Sequence, residues 1–270
     1  MSDDQTTEPN GTTVTVDFIR HRNVLLVQAD LGPLFTDYYL HLADHRLRYT
    51  PEQDTIFKRA LAAFALHCAS RPQGEHLAWT MNFQQPLLNL FLTGDNEDNT
   101  MAGRLFTENV REAGQNIFYS DIIARRGAQP RRSIVNFDGT DALGVVEKYY
   151  AASEQRLARY FDPGEDVYAL LVSHPDCDEH WLRALDPAGL RTLAERETLV
   201  GLERRNYQWR CGCSYPKILG TIATAAREDL AGVFGEDESV HVACPRCAAQ
   251  YVITREALEA YFAQGRKGGA

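Results

Sequence analysis

The sequence predicts an α+β protein: an N-terminal, mainly antiparallel sheet packed with helices, a short helical linker, and a small C-terminal module built around four cysteines. Three observations predict it. Extended, β-branched segments bounded by turn residues recur at hairpin spacing through the first half of the chain. Helical stripes interrupt and follow them. Two close cysteine pairs, Cys211-Gly212-Cys213 and Cys244-Pro245-Arg246-Cys247, lie near the C-terminus.

Taken in order, residues 13–19 and 23–29 read as strands rich in Val, Ile and Thr. Pro51 opens a helical pattern through Ile56, Ala60, Phe64 and His67 that ends near Pro72. Residues 77–83 and 87–92, separated by Gln84-Gln85-Pro86, return to strand, followed by 101–107, 117–124 and 133–137. Turn signals such as Thr93-Gly94-Asp95-Asn96 make this sheet mainly antiparallel. Thr140 is placed to cap a helix through Leu143, Val146, Tyr150 and Leu157, stopped by Asp162-Pro163-Gly164. Residues 167–172 form an apolar run suited to a buried strand, and 179–200 turn helical again with Pro187 near a helix start. The expected organisation is a disordered tail at 1–12, a core at 13–178, a helical linker at 179–206, a zinc-binding module at 207–264 and a second tail at 265–270.

An apolar share of 44% in 270 residues is enough to bury a core, and the formal charge is −9. An acidic surface repels phosphate backbones, which argues against nucleic acid as a partner. Arg125, Arg126, Arg131 and Arg132 flank a Gly-Pro stretch and read as a charged hairpin loop rather than a phosphate footprint. No stretch has the length and apolarity of a membrane helix, so no membrane partner is expected. The polar, acidic start is the opposite of a signal peptide. The expected location is therefore the cytoplasm, where thiols stay reduced and clustered cysteines mean metal or redox chemistry.

Two close pairs separated by thirty residues can converge on one tetrahedral S₄ site, with Cys211, Cys213, Cys244 and Cys247 binding one Zn²⁺ as thiolates. The intervening chain suits this. Ser214 and Pro216 signal a helix start, with Ile218, Ile222, Ala225 and Leu230 as its apolar stripe. Residues 239–243 read as a strand delivering Cys244, and 250–253 return beside it, making residues 244–247 the turn of a knuckle. Thr254 caps a last helix that buries Ala257, Leu258, Tyr261 and Phe262. The alternatives are four free buried cysteines or an iron–sulfur site, and the spacing lacks the ferredoxin-type runs. Structural zinc contributes on the order of 10–16 kcal/mol to folding of modules this small. A disulfide across the single residue Gly212 is strained and readily reduced, which suits a reversible switch.

Other polar candidates are weaker. Cys68 sits on an apolar helix face and reads as core. Cys177, among His174, Asp176, Asp178 and His180, reads as part of a solvated loop, and His241 as packing or surface. No Gly-rich phosphate loop, nucleophile elbow or paired-histidine zinc motif is present, and no enzyme activity is expected.

The Cys-x-Cys, helix-bearing spacer and Cys-x-x-Cys resemble the thirty-three-kilodalton heat-shock chaperonin family, the redox-regulated holdases. Trp209 before the first pair and Tyr251 after the last belong to the same pattern. Upstream, residues 86–94 with Gly103-Arg104-Leu105 look like the family's core sheet, and Tyr149-Tyr150 with Ser153-Glu154-Gln155 is similar to its helix signature. The stretch between Trp181 and Cys211 is shorter than the family's usual linker. The resemblance implies a reduced, zinc-bound form of low activity. It also implies that oxidation pairs Cys211 with Cys213 and Cys244 with Cys247, releases zinc, unfolds the linker and lets the protein hold unfolded or partly folded clients without ATP. It leaves a homodimer open for the activated form. A thiol–disulfide oxidoreductase using Cys244 and Cys247 and a constitutive zinc module that binds protein are the other readings. From Tyr207 to Phe262 five basic and seven acidic residues oppose nucleic acid here too.

Overall fold

In a computed structural model, which describes residues 11–110, 112–125, 127–227 and 230–267, the alternating segments pair into one ten-stranded sheet. Its strands are β1 (Thr12–Ile19), β2 (Val24–Asp30), β3 (His76–Gln84), β4 (Leu87–Asp95), β5 (Thr100–Phe106), β6 (Asn116–Ile123), β7 (Arg131–Phe137), β8 (Ala158–Gly164), β9 (Val167–Ser173) and β10 (Leu199–Trp209). They lie in the order β7-β6-β3-β4-β5-β10-β1-β2-β9-β8. Each half of this order is antiparallel. The halves meet at a short parallel seam in which Gln208 and Trp209 of β10 pair with Thr100 and Met101 of β5.

Strict alternation sets which face each strand buries. In β3, Leu77, Trp79, Met81 and Phe83 point inward and the residues between them do not. The inner face packs against α1 (Gly32–Asp44), α2 (Pro51–Ala69) and α3 (Ala142–Tyr149). Thr50 and Gln53 form a reciprocal capping box at the start of α2, with Pro51 in the first turn. From Ala60 to Ala69 this helix is buried on every side, so it forms the centre of the core rather than an amphipathic cover. The outer face of β1, β2 and β9 is covered by short helices α4 (Glu179–Ala184), α5 (Pro187–Arg191) and α6 (Leu193–Arg196), through Leu182 and Leu193. The chain then closes with α7 (Tyr215–Ala226), α8 (Leu230–Phe234), the hairpin β11 (Ser239–Ala243) and β12 (Gln250–Thr254), and α9 (Arg255–Lys267). Leu219, Ala223, Ala226, Phe234, Ile253 and Leu258 give this module a small core of its own.

The α+β class and the mainly antiparallel sheet agree with the sequence, and several boundaries do not. The helix expected through Leu157 ends at Tyr149 in a π-helical turn, Tyr150–Glu154. Gln155 takes a left-handed conformation and the chain returns as β8, with Asp141 rather than Thr140 at the helix start. The linker expected to be helical over 179–206 is helical only to Arg196; its last third belongs to β10, so the expected boundary at 200–207 falls inside a central strand. Helix α1 was not foreseen. Thr12 already pairs in β1 and α9 runs to Lys267, while the tails at 1–10 and 268–270 lie outside the described residues. Strands β6 and β7 do pair antiparallel as the hairpin requires; Arg132 pairs with Asp121 at 2.7 Å, and Arg126 lies outside the described residues.

Candidate metal centre

Strand β10 delivers the first cysteine pair. After Trp209, the Arg210 amide continues the seam by donating to the Met101 carbonyl at 2.9 Å, which sets Cys211 and Cys213 at the edge of β5. The β11–β12 hairpin delivers the second pair. The Cys244 amide donates to the Ala249 carbonyl and the Ala248 amide to the Cys244 carbonyl, with Ala248 in the left-handed region, so the knuckle closes on itself. Ser214 precedes α7 with Pro216 in its first turn, and the Thr254 hydroxyl accepts from the Ala257 amide at the start of α9. The buried face of α7 is Leu219, Ala223 and Ala226, with Ile218 and Ile222 at its margin. Ala225 is exposed, one position off the expected stripe.

The four sulfurs of Cys211, Cys213, Cys244 and Cys247 lie within 4.8 Å of one another. Cys211 is 3.7 Å from Cys244 and Cys213 is 3.6 Å from Cys247. A tetrathiolate with metal–sulfur bonds of about 2.3 Å has sulfur–sulfur edges of about 3.8 Å, so the donor set fits a tetrahedral ion. Cys244 and Cys247 are buried and Cys211 and Cys213 half-buried. Both of these close approaches run between the two motifs, whereas the resemblance implies disulfides within each. A hydrogen bond from Cys247 pulls the Cys211 thiol down to about 5, and the same bond, with burial, raises Cys247. Burial raises Cys213, which in turn accepts from the Tyr251 hydroxyl at 3.1 Å. Cys211 is thus the sulfur most inclined to ionise and Cys213 and Cys247 are held back, and a divalent cation would favour ionisation of the whole set.

The knuckle is fastened to the core by residues that motif reading missed. The Arg104 guanidinium donates to the Cys244 carbonyl at 2.9 Å. His41 Nε2 donates to the Cys247 carbonyl at 2.7 Å, and His45 Nδ1 accepts from the Gln250 amide at 3.3 Å. Their signal was available, since His41 and His45 are one helical turn apart, but it is readable only once α1 is recognised. Trp209 wedges between His41, Tyr38 and Phe57. The remaining candidates stay apart from the centre. Cys68 is fully buried in the core, and burial holds its thiol protonated. Cys177 lies in the turn before α4, packed against the outer helices. His241 is exposed on β11 opposite Val252. His76, Asp95 and Glu97 also gather, on a partly exposed edge where His76 is 3.2 Å from Asp95.

These features define a class: an α+β protein whose sheet carries a C-terminal four-cysteine module. The model of the Hsp33 protein family matches residues 169–254. The 33 kDa chaperonin of Nitrosococcus oceani is 25% identical over 163 residues, 53% of this chain and 56% of that protein. The 33 kDa chaperonin of Proteus mirabilis is 23% identical over 207 residues, 63% of this chain and 70% of that one. The chain thus spans little more than half the length of the first of these relatives. The crystal structure of the 33 kDa chaperonin of Thermotoga maritima superposes with a TM-score of 0.70 at 14% identity, covering 95% of this chain and 99% of that one, a likeness of fold. The family model, the curated relatives and the likeness of fold together support the Hsp33 family for this chain.

Proposed function

We propose that the chain is a redox-regulated chaperone, an ATP-independent holdase that binds unfolded or partly folded proteins once a zinc–thiolate centre is oxidised. The observation that carries this reading is the convergence of four thiol sulfurs within 4.8 Å at the seam of the sheet. Cys211, Cys213, Cys244 and Cys247 would hold the ion. Bound Zn²⁺ would supply the charge that keeps them ionised and on the order of 10–16 kcal/mol toward folding the module.

The chain's own residues do the rest. His41 and Arg104 hold the carbonyls of the second pair, and Tyr251 donates to Cys213. With a peroxide as oxidant, two thiolates of a pair give up two electrons. An S–S bond forms, the O–O bond breaks, and two solvent protons complete two waters. The reading assigns these pairs as Cys211 with Cys213 and Cys244 with Cys247. With its thiolates consumed the centre could no longer hold an ion, and the module would lack the folding energy a bound ion supplies. Among the described residues no helix is long and apolar enough to cross a membrane, and the acidic charge disfavours nucleic acid, which supports a protein as the partner.

The oxidoreductase reading is disfavoured. A redox-active Cys-x-x-Cys sits at a helix N-terminus with its thiol lowered. Here the pair lies in a hairpin turn, and Cys247 is buried and raised. Light scattering of a heat-unfolded client tests the proposal. Suppression of aggregation by the peroxide-treated protein and not by the zinc-loaded reduced one is expected. Equal suppression by both forms removes the switch, and none by either removes the chaperone.

A further inference from the structure

Strand β3 begins where β4 ends. His76 and Asp95 are direct partners across this pair and share the face of the sheet turned away from α2. Their chain neighbours are anchored in the core. The Asn96 amide donates to the Glu75 carbonyl at 3.0 Å, and the Asn96 side chain donates to the carbonyls of Cys68 and Pro72 and accepts from the Tyr207 hydroxyl. His76, Asp95 and Glu97 flank these anchors, so their backbone is held by buried groups. Asp95 is oriented further, because its Oδ1 accepts from the amides of Glu97 at 2.9 Å and Asp98 at 3.2 Å. That leaves Oδ2 facing His76 Nδ1 at 3.2 Å, with the two side chains only 18% and 21% exposed. His76 Nε2 is buried with no hydrogen-bond partner among the described residues, so the polar edge the ring offers is the one turned toward Asp95. Glu97 adds a second carboxylate, and the three ligand atoms lie within 4.8 Å of one another.

We propose that His76, Asp95 and Glu97 form a second divalent-cation site, on the core sheet itself and independent of how the four cysteines are read. One imidazole nitrogen and two carboxylate oxygens suit a borderline ion such as Zn²⁺ or Co²⁺ better than Ca²⁺ or Mg²⁺, which favour all-oxygen sets. With metal–ligand bonds of about 2.0–2.1 Å, neighbouring donors in a tetrahedral shell stand about 3.3–3.4 Å apart. The His76–Asp95 separation is already close to this size. Glu97 is exposed in the turn after β4, so rotation of its side chain brings its carboxylate the rest of the way. Asp95 also lines a cavity of about 510 Å³ with Asp98 and Thr100, which gives an ion an entry path and room for water at its remaining position. A bound ion would cross-link the start of β3 to the end of β4 and the turn that follows.

Metal titration of the full, untagged chain, reduced and first stripped with a chelator, tests the site. Co²⁺ serves as the optical probe, and Zn²⁺ content is measured by equilibrium dialysis. Two ions per chain are expected, one giving thiolate-to-cobalt charge-transfer absorption and the other giving none. His76→Gln and Glu97→Gln should each weaken the ion without thiolate absorption by at least about tenfold, the cost of losing even an outer partner of a metal ligand. Both should leave the charge-transfer band as in the parent. Glu97→Gln alters an exposed side chain, so it keeps the test decisive if His76→Gln disturbs the strand. A single ion per chain, carrying thiolate absorption, overturns the proposal. Two ions in the parent and in both variants overturn it as well, since the second ion then sits adventitiously on other surface groups. A single ion without thiolate absorption, lost in Glu97→Gln, upholds this site and instead removes the reading of the cysteines as metal ligands.

Discussion

Tyr251 shows how much of the centre's chemistry rests on one atom outside the cysteines. Its hydroxyl donates to Cys213, which spreads charge on that sulfur and lowers its nucleophilicity. Tyr251→Phe should therefore bind zinc roughly tenfold more weakly and release it faster under peroxide, read with a chromogenic chelator; unchanged release would confine Tyr251 to packing. His67 makes a second prediction at this scale. It is fully buried, with Nδ1 2.7 Å from the Tyr150 hydroxyl and its ring against Trp79, and burial lowers its pKa well below the ordinary 6.5. Because the folded state disfavours the charged ring, the unfolded chain binds more protons as the pH falls through the ordinary value. The stability contribution is full above about 6.5 and erodes below it. His67→Gln should flatten the acid side of the pH–stability curve, measured by urea unfolding at several pH values; the parent slope would assign the acid sensitivity elsewhere.

Among the elements, β10 has the most consequence. Arg205 and Tyr207 are buried in it, and Asn96 ties it to the end of α2 by accepting from the Tyr207 hydroxyl and donating to the carbonyls of Cys68 and Pro72. Asn96→Ala leaves these groups without a partner in a dry site and should cost about 2–4 kcal/mol, measured by chemical denaturation. A loss under about 0.5 kcal/mol, the size of an ordinary surface change, would mean water replaces the amide. The same tie divides the linker. Residues 179–196 can leave the outer face without breaking a strand pair, since their helices bury only Leu182 and Leu193 there, whereas 199–209 cannot. Limited proteolysis after oxidation should cut first within 179–196; early cuts within 199–209 would mean that the sheet itself opens. Most strands were legible because Leu77, Trp79, Met81 and Phe83 alternate against polar neighbours. β10 was not, because Arg204, Arg205 and Asn206 disguise a strand whose buried cation, Arg205, is satisfied by the half-buried Glu203 and by Tyr207. The four cysteines were legible by spacing alone. Their fastening to α1 and β5 was not, because it uses backbone carbonyls that carry no sequence signal.

At the scale of the molecule there are separate cores. The sheet with α1, α2 and α3 encloses one, and the cysteine module encloses another, in which six of the described residues are buried. On the zinc reading, a core that small offsets its own chain entropy only with the ion bound. Chelation should therefore abolish one thermal transition and leave the other nearly in place, seen by calorimetry; a single transition shifted as a whole would make the two cores one cooperative unit. The parallel seam adds a consequence in time. Thr12 finds its partner in Tyr207, and among the described residues the strands of the two halves pair only through β5 and β10. During synthesis β1 must wait for nearly the whole sheet-forming chain before its outer edge is satisfied, and pairings of such long range are slow to form. Until then that edge stands open to other strands, so a nascent chain of this protein passes through a stage in which it is itself in need of shelter.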